Sequence, residues 1–422
     1  MIPLGSAQGS PRGRSQEPVE GSGPIDPSAG RLRPGEPLGV YVHFPFCSVR
    51  CPYCDFAVDT RADIPHDAYA EAVIGELAAR APWFAGAGPL VSIYFGGGTP
   101  GLWRPEALGR VIAAVRATFG APAAADLEIT VEVNPGDSGL DQLRALRAAG
   151  VNRLSIGLQA LDDDLLAALG RHHRAAAGPA TVRDARAAGF ENLSVDLMFG
   201  VPGQTLDAWR RDVAAVIALG PEHVSAYALT VERGTAFGAR ERRGALPRPD
   251  DEAVAGMFQH ARQAFGTAGL SPYEVSSYAR AGRRARHNQL YWALGPYLGA
   301  GASAASFRPL DDGTGWRFSN PRATDVYLRQ AGAERLVARH VEHRSAADLE
   351  NEALWLGLRK VDGVDRAVYA VRHGCDPLSG RESEAAAVVS AGWLAVNDTH
   401  LSLTPAGVLF ADEVAARLWR SR

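Results

Sequence analysis

The stretch YVHFPFCSVRCPYCDF, residues 41–56, decides how the rest of the chain is read. Its first half is apolar and aromatic and belongs to GVYVHFPF (39–46), which reads as a buried strand. Its second half places Cys47, Cys51 and Cys54 within eight positions, and the whole chain of 422 residues has four cysteines. So few cysteines make no disulfide framework, and a clustered trio points to a metal or to catalysis. A structural zinc site asks for four ligands. A [4Fe–4S] cubane also normally takes four thiolates, so three would leave one iron with an open position where chemistry can occur. A zinc knot, three buried structural thiols, or a distant fourth ligand such as Cys375 are the plainer alternatives. His43, four residues upstream, sits on the strand's end.

Outward from this stretch the chain keeps a rhythm. Strands are expected at 91–98, 128–135, 153–160, 192–200 and 223–232. Between them lie helical patterns: 67–84, PEALGRVIAAVRATFG with Pro105 near its start, SGLDQLRALRAAG, two short pieces after residue 160, and TLDAWRRDVAAVIALG. Six strands alternating with helices predict an α/β fold with a parallel sheet, either an open partial barrel or a doubly wound sheet. In both, the loops at the strands' C-terminal ends build the site. Cys47, Gly96, Asn134, Gln159 and Gly200 all fall at such ends.

Residues 1–37 are rich in Gly, Pro, Ser and Arg and are expected to form a disordered leader. Residues 38–240 carry the βα rhythm. A Gly- and Tyr-rich stretch, 241–335, is expected to pack at the barrel mouth. Residues 336–422 suggest a small α+β, winged-helix-like domain with an Asn-Asp turn, whose plain role is packing or partner contact. The formal charge is −3, from 44 Lys and Arg against 47 Asp and Glu, so no basic field advertises nucleic acid. No apolar run reaches the roughly 18 residues of a membrane span, and no apolar secretory core opens the chain. A cytoplasmic protein without a stable membrane anchor is expected, its oligomeric state open.

The finer motifs carry a resemblance. CxxxCxxC at the end of the first strand of a (βα)6 pattern resembles the radical S-adenosylmethionine superfamily. In order, YVHFPFCSVRCPYCDF, IYFGGGTP, ITVEVNPG, GVNRLSIGLQALDD, LGRHH, SVDLMFGVPGQT, YALTVERGT and HNQLYW resemble its coproporphyrinogen III dehydrogenase-like group. The similarity runs over about residues 38–300 and weakens toward the C-terminus. It implies a partial (βα)6 TIM-like barrel. It also implies a [4Fe–4S] cluster on Cys47, Cys51 and Cys54, whose open iron chelates S-adenosylmethionine, the cofactor carrying the hard chemistry. In that group the positions of Gly97, Gly98, Thr99, Gln159, Arg171 and Asp196 contact S-adenosylmethionine. Tyr41 and Tyr53 flank the cysteines and would line the same pocket, and Glu132 would accept from a ribose hydroxyl or a bound amine.

The glycines of GGGTP would let backbone N–H groups approach a ligand, or else simply make a tight βα turn. Arg171 could pair with a carboxylate, or be a solvated helix charge beside His172 and His173. His287 opens HNQLYW, a signature similar to that of HemW-type heme chaperones, which makes it a candidate heme ligand with Tyr291 and Trp292 against the macrocycle. The competing role is a buried, hydrogen-bonded structural histidine.

Two branches of the group differ in class. HemN-type enzymes oxidatively decarboxylate coproporphyrinogen III and carry a further cysteine two residues after the third, where this chain has Phe56. HemW-type chaperones carry Phe there and pass heme to apo-hemoproteins, so heme and apo-hemoproteins are the expected partners. One departure is Ala305, where relatives have a His in a Gly-x-Gly-x-x-Ala-His segment. A radical enzyme acting on another substrate and a zinc-binding interaction module remain alternatives.

Overall fold

A computed structural model describes residues 26–120, 127–332 and 338–420. Six parallel strands form its centre: β1 (Leu38–Phe44), β2 (Leu90–Gly97), β3 (Glu128–Val133), β4 (Arg153–Gln159), β5 (Leu193–Phe199) and β6 (His223–Ala228). Each pairs with the next in chain order. The helices between them are α1 (His66–Arg80), α2 (Pro105–Phe119), α3 (Leu140–Ala148), α4 (Asp163–Ala168), α5 (Ala177–Ala187) and α6 (Leu206–Leu219). The strands are buried almost throughout, as a parallel sheet covered on both faces demands.

The sheet stays open. After α7 (Ala236–Glu241) and α8 (Asp251–Thr267), β7 (Ser271–Pro272) and β8 (Ser277–Ala279) add antiparallel strands beside β6. Beyond α9 (Arg286–Trp292), β9 (Tyr297–Ala300) pairs in parallel with β1. The antiparallel strands β10 (Ala305–Pro309), β11 (Gly315–Ser319) and β12 (Arg339–Arg344) extend that edge, with α10 (Thr324–Gly332) between the last two. The fold is thus the partial barrel of six βα units, continued at both edges into a twelve-stranded sheet.

The C-terminal part runs α11 (Ala346–Leu358), β13 (Val364–Asp365), α12 (Arg366–His373), α13 (Glu382–Ser390), β14 (Leu394–Val396), β15 (His400–Leu403) and α14 (Ala411–Leu418). Its sheet order β13-β15-β14 is that of a winged helix. It has a small core of its own around Leu354, Tyr369, Val388, Leu401 and Val414. Ser345 starts α11 with a capping box through Asp348.

Three expectations are corrected. The helix expected over 67–84 ends at Arg80, and Ala81–Phe84 tighten into a 3-10 turn, because Pro82 lacks the amide that an α-helix needs. Of the leader, residues 1–25 lie outside the described residues, but 26–37 are anchored to the fold at Pro27 and Leu32. Leu32 is buried and bridges Leu310. The guanidinium of Arg308 donates to the carbonyls of Pro27, Ala29 and Gly30, and its Nε to that of Trp83. One arginine satisfying a ring of carbonyls replaces the apolar side chains that the segment lacks. Third, HNQLYW is not at the barrel mouth. The amide of His287 donates to Glu128 at the start of β3, and its ring bonds Ser92 near the start of β2. It closes the opposite, N-terminal end of the barrel.

Candidate functional site

The loops after the parallel strands converge over one pocket. Its wall includes Cys47, Cys51, Cys54, Tyr53, Gly97, Gly98, Thr99, Glu132, Gln159, Arg171 and Asp196, eleven of the thirteen expected site residues. The segment carrying the cysteines leaves β1 and returns. It is fixed by Cys47 N–H to Asp59 O (3.0 Å), Asp59 N–H to Pro45 O (2.8 Å) and the His43 ring to Ala57 O (3.1 Å). From further along the chain, Phe237 N–H donates to Pro52 O (2.9 Å) and Arg322 to Asp55 O (2.5 Å).

All three thiols are half-buried. Donors face two of them: Thr99 Oγ1 lies 3.3 Å from Cys47 Sγ and Arg171 Nη1 lies 3.8 Å from Cys51 Sγ. Hydrogen-bond donors beside sulfur suit thiolates, and a three-thiolate donor set fits a [4Fe–4S] cluster with one open iron. Without a metal, burial pushes the Cys47 thiol up to about 12. A metal held by these thiols would therefore displace protons. Cys375 packs against the C-terminal core and is no fourth ligand. His43 is no ligand either, since its nitrogens meet Tyr41 Oη (3.0 Å) and Ala57 O.

The GGGTP segment corrects the expected backbone cradle. The amide of Gly97 donates to Glu132 Oε2 (3.1 Å), that of Gly98 to Phe44 O (2.8 Å) and that of Thr99 to Phe46 O (2.8 Å). These three amides are already engaged within the chain. The glycines serve close approach: a Cβ on Gly97, whose φ is 111°, would lie 2.5 Å from the His43 ring, and one on Gly98 2.6 Å from Phe46 O.

Glu132 also accepts from Tyr94 Oη (2.8 Å), and burial raises its carboxyl to about 7. Asp196 accepts from Ser155 Oγ (3.0 Å). Gln159 holds φ at 65° at a break in the β4–β5 register, and its Oε1 accepts from Tyr227 Oη (2.9 Å). Arg171 is no solvated charge: Nη2 donates to Asn134 Oδ1 (2.5 Å) and Gly157 O (3.2 Å). Its buried Nε has no partner among the described residues.

Tyr41 and His287 do not line the pocket. Tyr41 lies beneath it, its ring 6.2 Å from that of Tyr94. His287 is buried, with Nδ1 2.9 Å from Ser92 Oγ and Nε2 2.7 Å from Tyr291 Oη. Burial lowers its pKa to about 3. With both nitrogens engaged, by Ser92 and Tyr291, it has the geometry of a structural histidine. Ala305 begins β10 and is likewise outside the pocket wall.

Sequence reasoning gave no role to Ser155, Tyr227 and His172, which also line the pocket, as does Asn134, which it had placed at a site-building strand end. Ser155 was within reach, since counting back in twos from Gln159 along β4 keeps to one face. Tyr227 lay in a quoted motif without an assigned role.

The profile of the Radical SAM superfamily matches residues 41–216, and that of the HemN C-terminal domain matches 345–410. The heme chaperone HemW of Mycobacterium tuberculosis is 36% identical over 389 residues, covering 91% of this chain and 95% of that one. HemW of Synechocystis is 37% identical over 336 residues, 78% of this chain and 79% of its own. HemW of Escherichia coli is 32% identical over 380 residues, 90% and 97%. Among solved structures, coproporphyrinogen III oxidase (HemN) of Escherichia coli superposes with a TM-score of 0.78 at 23% identity, covering 92% of this chain and 91% of that one.

Proposed function

This chain belongs to the HemW family of the radical S-adenosylmethionine superfamily, and from that premise we propose that it is a heme chaperone that takes up heme and passes it to apo-hemoproteins. The observation that carries the reading is the pocket wall, in which three thiols are joined by the Phe56 ring where the decarboxylating branch places a further cysteine. Membership implies a [4Fe–4S] cluster and S-adenosylmethionine. When bound, they would supply reductive cleavage of the sulfonium carbon–sulfur bond.

The chain's own residues have separable roles in this reading. Cys47, Cys51 and Cys54 hold the cluster, and Thr99 and Arg171 stabilise the negative charge on sulfur. Glu132, Gln159, Asp196 and Tyr53 present acceptors, a carboxamide and an aromatic wall to S-adenosylmethionine. Arg171 offers it a charged donor.

Anaerobic titration of the reconstituted protein with heme, followed by transfer to an apo-globin, tests the proposal. Saturation near one heme per chain with onward transfer is expected. Failure to bind, together with carbon dioxide release from coproporphyrinogen III, would establish the dehydrogenase instead.

A further inference from the structure

Resting on the heme-chaperone reading, we infer that His172, oriented by Asp137 at the rim of the pocket, is an axial ligand for the iron of the cargo tetrapyrrole. Such an iron takes a neutral imidazole whose lone pair is directed and within reach. Of the other histidines on the barrel, His66 and His260 lie outside the pocket wall, and those in or beside the strands do not qualify. His43 and His287 are buried with both nitrogens engaged. So is His223, between Ser194 Oγ (2.8 Å) and Tyr273 Oη (2.8 Å). His173 is buried and outside the pocket wall.

His172 differs on each count. It lines the pocket, and its side chain is 35% exposed. Its Nε2 lies 2.9 Å from Asp137 Oδ1. A carboxylate at one nitrogen takes the ring N–H, fixes the tautomer and leaves the lone pair on the other nitrogen, Nδ1. Asp137 is itself oriented: Asn134 Nδ2 donates to its Oδ2 (3.2 Å) and Ser48 Oγ to its Oδ1 (3.4 Å). Ser48 follows the cluster ligand Cys47, so the imidazole and the cysteine loop share one carboxylate anchor.

The neighbouring surface suits the rest of such a molecule. Val49 lines the pocket while 45% exposed, an unusual position for a large aliphatic side chain. Phe56 and Val58 continue the apolar wall, and Arg50 is exposed beside Val49. An apolar strip with a cation at its edge matches a flat macrocycle bearing carboxylates.

The test titrates the full-length, cluster-loaded protein with heme and compares wild type, His172→Ala and Asp137→Asn by absorbance and electron paramagnetic resonance. His172→Ala is expected to move the Soret band and weaken binding at least about tenfold, with free imidazole restoring the band. Asp137→Asn is expected to keep the band and weaken binding about tenfold. An unchanged spectrum and affinity in His172→Ala would remove His172 as the ligand and leave the chaperone reading standing. Should His172→Ala fail to load its cluster, unchanged heme affinity in Asp137→Asn overturns the assignment equally. If wild type binds no heme at saturation, the chaperone reading falls, and this ligand with it.

Discussion

Arg171 directs Nη1 at the sulfur of Cys51 from 3.8 Å, although the two residues are 120 positions apart. The same guanidinium ties the ends of β3 and β4 together through Asn134 and Gly157. Arg171→Ala removes a charged donor from both the thiolate and the ligand site. It should weaken S-adenosylmethionine binding by about 1.5–3 kcal/mol. Lys reaches one acceptor but lacks the planar fork, so Arg171→Lys should fall between the two. Calorimetry on anaerobically reconstituted protein measures this, and equal affinity in all three proteins would refute it.

Cys51→Ala should lose the absorbance near roughly 400 nm together with its iron and sulfide. Cys375→Ser should retain them, since Cys375 packs in the other core. Iron loss in the Cys375 variant would mean a ligand set different from the three pocket thiols.

Glu132 links ligand binding to stability. Its folded-state carboxyl titrates near 7, against an ordinary 4.5, because burial disfavours the charge. The folded protein therefore keeps a proton that the unfolded chain loses between those values. Stability falls as pH rises through that window, and the cost is fully present above it. Glu132→Gln should thus stabilise the ligand-free protein by about 1–2 kcal/mol at pH 8 and by much less at pH 5, while weakening S-adenosylmethionine binding. Urea unfolding at the two pH values checks the sign, and an equal difference at both would contradict it.

Gly98→Ala puts a methyl 2.6 Å from the carbonyl oxygen of Phe46. That neighbour is backbone, directly before Cys47, so the cysteine loop must move. A cost of about 1–3 kcal/mol is expected, with reduced iron uptake. Normal cluster content at unchanged thermal stability would show that the strands need not approach so closely.

His287→Gln should act on the fold. Losing the ring leaves Ser92 or Tyr291 short of a partner in a buried place, at a cost of about 1–3 kcal/mol. Heme spectra of the folded variant should match wild type. A displaced Soret band there would return His287 to the list of iron ligands.

By itself the sequence determined what local pattern and spacing encode. Six βα periods gave the parallel sheet, CxxxCxxC placed three thiols in one pocket wall, and Phe56 marked the resemblance to one of two branches. Gly120 and Pro105 bounded a helix correctly because caps are local. Tertiary structure decided the rest. Pairing of β1 with β9, not β6, keeps the barrel open, and no periodicity states which edges meet. His287 and His172 look alike as letters in a string. Strand direction sends one to the closed end with both nitrogens engaged, and the loop after α4 leaves the other at the rim beside Asp137. A histidine's chemistry is set by what meets its two nitrogens and by whether water reaches them, and those partners lie 35 to 195 residues away for Asp137 and Ser92.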